Sequence, residues 1–341
     1  MNNKTLLMAD PVLRSYPMYA HTLSIVANNP SYLGWFYSNY IQISCSKFRG
    51  ESNSFQVNYH NQHERYFCPW IHYNRLNKEF VTSKWNGDIV QFLIDIIDQS
   101  FYVYFVVDNY YIPASWSYHK VSHPHDLLVY GYDLKEKTFN IADAFVDGKY
   151  SHATCTFSEM EAAYTAYDQP SDIYRAFNNN IELLRLNTTD EVDPYLALFN
   201  LPFVEDSLRN FLTGNDLSPG MKPIFENYSM GIHVYDDLMK YLDYVKDNEA
   251  TYIDLRGIYV ISEHKKIMLS RIEYMLEHKY IHFDKKLLTD YKDVLKEAIL
   301  TLNVAIKYNI KPDQILLSKI HTGVEKMRNR EMDVLSEFLT K

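Results

Sequence analysis

Glycine is scarce in this chain of 341 residues, which has only 10 in total. A large doubly wound nucleotide-binding fold uses glycine at its phosphate turns. Neither GxGxxG nor GxxxxGK[ST] occurs anywhere in the sequence. We therefore expect no dinucleotide site and no P-loop.

Basic charge, cysteine and long apolar runs are also in short supply. The 34 Lys and Arg residues stand against 43 Asp and Glu, a formal net charge of −9, so we expect no nucleic-acid partner, because neutralising phosphates requires basic surface. Three cysteines, an odd number, do not make a disulfide framework. The N-terminal residues show no signal-peptide pattern, and no run approaches a membrane span. We expect a cytoplasmic protein with no membrane partner.

Tyrosine is abundant, with 30 Tyr beside 18 Phe and 4 Trp, and predicts cores lined by aromatic rings. The length allows two domains. Short strands and brief helices alternate in the first half, whereas long amphipathic patterns fill 231–248, 258–281 and 290–310. The sequence predicts an α+β domain over 1–153 followed by an all-helical domain over 154–341.

Local patterns place several elements. "NGDIVQFLIDIIDQS" predicts a helix capped by Asn86 or Asp88. "FYVYFVVDNYYI", which follows at once, is typical of a strand buried on both faces. "GWFYSNYIQISC", dense in aromatic and β-branched residues, predicts another strand.

The stretch "SHPHDLLVYGYDLKEKTFNIADAF", residues 122–145, predicts a hairpin of two strands joined by "LKEK". His125 enters the first strand, and Asp143 lies 18 residues further on, near the end of the second. An aspartate placed there can reach the imidazole across the hairpin, orient it and select its tautomer. This is what a general base beside a nucleophile requires.

"FVVDNYYIP", "HPHDLLVYGYD" and "FNIADAF" together resemble the second half of a papain-like cysteine-peptidase domain. More specifically, they resemble the N-terminal domain of butirosin-type acyltransferases, which occur with nonribosomal and other thiotemplated assembly lines. The shared features are Val107-Asp108-Asn109-Tyr110, His125, Gly131-Tyr132-Asp133 and Ala142-Asp143. The helical part also resembles uncharacterised proteins found beside such gene clusters, and amide synthases of the closthioamide type belong to the same broad group.

The resemblance implies a papain-like fold with an antiparallel sheet, and an acyltransferase activity that forms amide bonds. An acyl group would leave a carrier-protein thioester, rest on a cysteine and pass to an amine acceptor. The partners would be an acyl or peptidyl carrier protein and the amine. The resemblance implies no cofactor of the chain's own, since the substrate would arrive on the carrier's phosphopantetheine arm. His125 would be the base, and Asp143 would orient it.

The nucleophile departs from the family's pattern. The family's cysteine belongs at the start of the first helix, where this chain has Tyr19, Ala20 and His21. Cys45, 80 residues before His125, and Cys68, which precedes a proline, are the candidates that remain. For a cysteine of either kind, the role of a small buried hydrophobe is the commoner one. If neither reaches His125, the protein is either a degenerate enzyme or one that uses the amine directly, with His125 as base.

Asp108 and the neighbouring histidines each allow more than one interpretation. Asp108, at the end of a buried strand, is either a substrate contact or a partner of backbone N–H groups. His119, His123 and His125 invite a zinc site, but their spacing matches no recognised ligand pattern, so we expect no metal.

Two other functions compete with acyl transfer. A hydrolase of peptides or thioesters would differ only in admitting water to the site. A non-catalytic binding or scaffold protein would have kept the fold after losing its nucleophile.

Overall fold

A computed structural model describes most of the chain as two compact units. The first comprises Met1–Tyr32 and Glu64–Ala197, and the second comprises Leu33–His63 and Leu198–Lys341. The residues described are 2–60, 67–167, 180–215, 227–282 and 285–340. The units thus interleave along the chain, whereas the sequence suggested a single boundary after residue 153.

The first unit is built on antiparallel strands. Its strands are β1 (Asn3–Thr5), β4 (Ile71–Asn77), β5 (Tyr102–Asp108), β6 (Pro124–Asp133), β7 (Thr138–Val146), β8 (Lys149–Thr156) and β9 (Asn180–Leu186). Its helices are α1 (Pro17–Val26), α3 (Lys78–Lys84), α4 (Ile89–Asp98), α5 (Phe157–Ala166) and α6 (Pro194–Ala197). Single 3₁₀ turns occur at Pro30–Tyr32, Asn109–Tyr111 and Thr189–Glu191.

These strands form one sheet of seven, in the order β4-β9-β5-β6-β7-β8, with β1 added beside β6. β9 comes from residues that the sequence assigned to a helical domain, yet it pairs with both β4 and β5. Because β9 lies between β4 and β5 inside the sheet, it belongs to the first unit, and that unit extends to residue 197. The signal, a short "IELLRL" alternation, is too brief to separate a strand from a helical turn.

The two faces of this sheet are covered differently. Val103, Phe105 and Val107 belong to the apolar core that α4 and α5 close. Side chains alternate along a strand, so Tyr104 points to the opposite face, where its ring meets that of His21 on α1. α1 packs there against β6, β7 and β9.

Gly131 is required where β1 approaches β6. A Cβ at this position would lie 2.8 Å from the Lys4 carbonyl oxygen and 2.6 Å from Nδ2 of Asn140. Both distances are below van der Waals contact, so any larger residue would push β1 off the sheet.

The second unit combines helices with a small sheet. The strands β2 (Ile43–Ser46), β3 (Asn58–Tyr59) and β10 (Tyr228–Met230) pair in the order β10-β2-β3. The helices are α2 (Leu33–Ser38), α7 (Leu201–Thr213), α8 (Val234–Asp247), α9 (Leu255–Glu277), α10 (Lys285–Ile310) and α11 (Gln314–Leu339). A 3₁₀ turn at Gly231–His233 leads into α8. Across the described ranges, no helix combines the length and apolarity needed to cross a membrane.

The α+β class with an antiparallel sheet and a helical C-terminal region is therefore confirmed, and so are most of the predicted elements. Asp88 caps α4 by accepting a hydrogen bond from the Gln91 N–H, as one of the two proposed caps. The predicted strand over 34–45 is wrong in its first half, which is helical as α2 before β2 begins. Trp35 and Phe36 are buried from that helix, and such tertiary burial overrides β propensity. The Pro and Gly residues of "TGNDLSPGMKPIFENYSMG", 213–231, predict a loop between helices, and residues 216–226 of this stretch lie outside the described residues.

A buried ion pair ties together the long helices of the second unit. Nζ of Lys265 on α9 lies 2.7 Å from the Glu331 carboxylate on α11, and neither side chain is exposed. The hydroxyls of Tyr235 and Tyr291 donate to the same carboxylate at 2.9 and 2.6 Å. Tyrosine, so abundant here, thus brings hydrogen-bond donors into the core on apolar rings.

We expect Glu331→Gln to lower the free energy of unfolding by about 3 kcal/mol, because it leaves the Lys265 charge buried without its partner. The matched control is Asp293→Asn, which breaks the surface bridge between Asp293 and Arg330. That change should cost less than about 1 kcal/mol. Urea unfolding measures both, and equal losses in the two variants would contradict the assignment.

Candidate active site

The predicted hairpin is present, with β6 and β7 joined by residues 134–137. His125 begins β6 opposite Val107, and Asp143 lies near the end of β7. Nδ1 of His125 is 2.9 Å from Oδ2 of Asp143. The imidazole side chain is 29% exposed, whereas the carboxylate is fully buried. The imidazole is thus accessible to solvent, whereas the group that orients it is not.

Asp143 is held by two further donors. Nδ2 of Asn109 donates to Oδ2 at 3.2 Å, and the backbone N–H of Ala144 donates to Oδ1 at 2.6 Å. Burial raises the pKa of the Asp143 carboxyl, and the hydrogen bonds from His125 and Ala144 oppose that rise. With donors on both oxygens, we assign the pair as aspartate and imidazolium.

His125 is correspondingly basic. Burial lowers its pKa, but the hydrogen bond and charge of Asp143, together with the charge of Asp126, raise it to about 9. The ring is therefore protonated at neutral pH and becomes a free base only in mildly alkaline solution.

Asp108 stabilises the loop between β5 and β6 by accepting hydrogen bonds from residues at both ends of that loop. Its Oδ1 accepts from the backbone N–H groups of Tyr110 and His123 at 2.9 and 2.8 Å, and its Oδ2 accepts from the Ser122 hydroxyl at 2.6 Å. Burial raises its pKa, but these hydrogen bonds lower it more. Of the two interpretations of Asp108, this geometry favours a partner of backbone N–H groups over a substrate contact.

Aromatic rings extend from the imidazole along this loop. The His123 ring stacks on the His125 ring with centroids 5.3 Å apart. The centroid of the Trp116 ring lies 5.1 Å from that of His123. Burial and the neighbouring charge of His125 lower the pKa of His123, so this ring is neutral. Trp116 is half exposed. The rings of His123 and Trp116, tilted 54° to each other, form an aromatic wall beside His125.

The three histidines of this loop do not converge. His119 stacks on Tyr118, with ring centroids 4.0 Å apart, instead of joining His123 and His125. Within the described parts of the chain, no group of three or more His, Cys, Asp and Glu side chains is arranged to hold a metal ion.

Cys68 lies in the first unit but far from His125. Cys68 precedes β4, which begins at the same end of the sheet at which Tyr102 begins β5. His125 pairs with Val107, at the opposite end of β5. The rows of Tyr102 and Val107 are five steps apart along β5, which alone correspond to about 17 Å at ~3.3 Å per residue. The structure therefore does not bring this thiol to the imidazole.

All three thiols are buried. Cys45 lies on β2 of the second unit, where burial and the charge of Asp237 raise its pKa to about 12. Burial likewise raises the pKa of Cys68 and of Cys155, which sits on β8 in the apolar core. A thiol in such surroundings is rarely ionised, so none of them has the character of an activated nucleophile.

Asp126 was missed from the sequence, although it directly follows His125. Its Oδ1 lies 3.6 Å from Nδ1 of His125, on a strand where alternation would turn it to the opposite face. The sequence indicates Asn109 only as part of the Val107-Asp108-Asn109-Tyr110 motif, whereas in the structure its side-chain amide donates a hydrogen bond to Asp143. Neither role has a sequence signal beyond adjacency to a site residue.

Comparisons with known proteins add no family. A scan of the chain against models of protein families finds no match, and a search of curated proteins finds none either.

The raised pKa of His125 predicts a pH-dependent contribution to stability. Because its folded-state pKa lies above the unfolded value, the stabilisation is fully present below pH 6.5 and is lost as the pH rises through about 9. Relative to His125→Gln, the wild type should lose about 2 to 3 kcal/mol of unfolding free energy across that window. Urea titrations at pH 6, 7.5, 9 and 10 measure it. A difference that stays constant with pH would contradict the ion pair.

Proposed function

We propose that this protein is an acyltransferase that moves an acyl group from a carrier-bound thioester to an amine, with His125 as general base and Asp143 as its orienting carboxylate. The observation that carries the proposal is the hydrogen bond between a partly exposed imidazole and a buried aspartate. Such a pair fixes the ring and stabilises the charge that the ring acquires during proton transfer.

The reaction needs no thiolate from the protein. The amine nitrogen attacks the thioester carbonyl, and His125 in its neutral form takes the proton that the nitrogen loses. The carbon–sulfur bond then breaks, and the imidazolium returns the proton to the departing thiolate. The products are an amide and a free thiol, and the imidazole is neutral again. Burial of all three cysteines favours this direct route over one through a cysteine acyl intermediate.

The basicity of His125 suits these two proton transfers. Its pKa of about 9 is close to that of an ordinary thiol, about 8.5, and not far from that of an alkylammonium, about 10.4. A base matched to its partners loses little free energy in either step. Water, which is far less acidic, is a poorer match, so the pairing favours aminolysis of thioesters over hydrolysis.

The wall formed by His123 and Trp116 supports an apolar substituent next to the reacting carbonyl. It stands directly beside His125, where the acyl chain or the pantetheine arm would lie. The sheet and the helix α1 that covers it are also what a papain-like domain would supply. The proposal accordingly includes that fold, an acyl or peptidyl carrier protein as donor, and a cytoplasmic location.

The test uses an acyl thioester of pantetheine and a panel of primary amines. Amide is followed by mass spectrometry, and released thiol by a colorimetric reagent. We expect His125→Gln to reduce turnover at least about 100-fold, and Asp143→Asn to reduce it comparably by releasing the ring. The matched control is His152→Gln, which removes an exposed imidazole on β8 and should leave turnover unchanged. Turnover in the wild type should rise with pH towards about 9.

The cysteines separate the direct route from the covalent one. We expect Cys45→Ala and Cys68→Ala to retain turnover, provided that circular dichroism shows the variants folded. Loss of turnover in a folded Cys45→Ala or Cys68→Ala variant, with an acyl adduct on that thiol in the wild type, would replace the direct mechanism. Binding of the thioester without any turnover would instead support the non-catalytic alternative.

A further inference from the structure

His125 contacts a second carboxylate besides Asp143. Oδ1 of Asp126 lies 3.6 Å from Nδ1 of His125, the same nitrogen that Asp143 approaches to 2.9 Å. The Asp126 side chain is 21% exposed, whereas Asp143 is not exposed at all. The imidazolium is therefore flanked by two negative charges in different surroundings.

Asp126 is itself held in place from two directions. The Tyr104 hydroxyl on β5 donates to its Oδ2 at 2.9 Å. Nε2 of His21 lies 4.0 Å from the same oxygen, and the rings of His21 and Tyr104 meet edge to face at 5.3 Å. The carboxylate is thereby kept against His125 instead of turning to solvent.

His21 is a buried histidine of α1, with only 1% of its surface exposed. Its Nδ1 is 3.0 Å from the Tyr150 hydroxyl on β8, and the two rings lie 5.3 Å apart. α1 packs on β6 and β7, the strands that carry His125 and Asp143. The helix thus places His21 beside Asp126 from its buried face.

We propose that Asp126 is a positioning residue that keeps His125 protonated in the resting site, and that His21 positions Asp126 from helix α1. The effect of Asp126 on catalysis rests on the proposed acyl transfer, because Asp126 would set the pH at which His125 becomes a base.

The physical reason is that two carboxylates favour the imidazolium more than one does. An opposite charge within about 4 to 6 Å shifts a pKa by one to three units, and Asp126 lies within that distance. The pKa of Asp126 is lowered, since the charges of His125 and His21 and the Tyr104 hydrogen bond outweigh its burial. It therefore remains ionised wherever His125 titrates. The titratable groups around the pair are Asp143 from β7, His21 from α1, Tyr104 from β5, Tyr150 from β8 and His123 from the preceding loop.

The experiment is an NMR titration of protein labelled in its histidine rings. We expect Asp126→Asn to lower the pKa of His125 by about one unit. The matched control is Asp133→Asn, which removes a carboxylate from the far end of the same strand and should move the His125 pKa by less than about 0.2 units. A purely structural role for Asp126 would not shift this titration. A His125 pKa in Asp126→Asn within about 0.2 units of wild type would overturn the proposal.

Two additions keep the test decisive. If the asparagine variant does not fold, Asp126→Ser removes the same charge with a smaller side chain and carries the same expectation. His21→Gln tests the helix, since loss of the imidazole should raise the pKa of the Asp126 carboxyl, followed by its ¹³C shift. An unchanged pKa of the Asp126 carboxyl in His21→Gln would contradict the positioning role of His21.

The catalytic consequence is measured separately. The pH profile of acyl transfer in Asp126→Asn should move to lower pH by the same amount as the NMR pKa. If the wild type shows no transfer at all, the proposed function fails while the titration still decides the role of Asp126.

Discussion

The hydrogen bond between His125 and the buried Asp143 is the interaction on which the site depends. A carboxylate that is fully buried must be satisfied by donors, and Asn109 and the Ala144 N–H supply two besides the imidazole. These donors come from the end of β5 and from β7. The requirement therefore links the loop after β5 to the hairpin and fixes the ring between them.

Basicity follows from the same constraint. Burial alone would make His125 a weaker base, yet paired with Asp143 and with Asp126 nearby it becomes a stronger one. Electrostatic interactions are stronger where water is excluded. His125 can therefore stay protonated at a pH at which a free imidazole in water would be neutral. The thiols show the converse. Burial is the largest influence on the pKa of Cys45 and of Cys68, and it leaves both thiols un-ionised at neutral pH.

The second unit relies on a comparable arrangement for a different purpose. Lys265 and Glu331 form a fully buried pair whose remaining oxygen sites are taken by tyrosine hydroxyls. Its partners come from four helices, α8 to α11. A charged core of this kind adds little net stability over apolar packing, but it penalises any other register of those helices. In the first unit the imidazole of the ion pair is partly exposed, whereas both members of the pair in the second unit are fully buried.

The sequence by itself determined the elements whose signals are local. The hairpin over 122–145, an N-cap of α4 at Asn86 or Asp88, the amphipathic helices and the pairing of His125 with Asp143 all follow from period, capping chemistry and spacing within 18 residues. Only the tertiary structure decided what depends on distant segments. Sheet pairing drew β9 into the first unit, and burial in the second unit made α2 a helix. The packing of α1 brought His21 to Asp126, and sheet register separated Cys68 from His125. Such contacts join residues far apart in the chain through hydrogen-bond registers and shared faces, which no local pattern of side chains records.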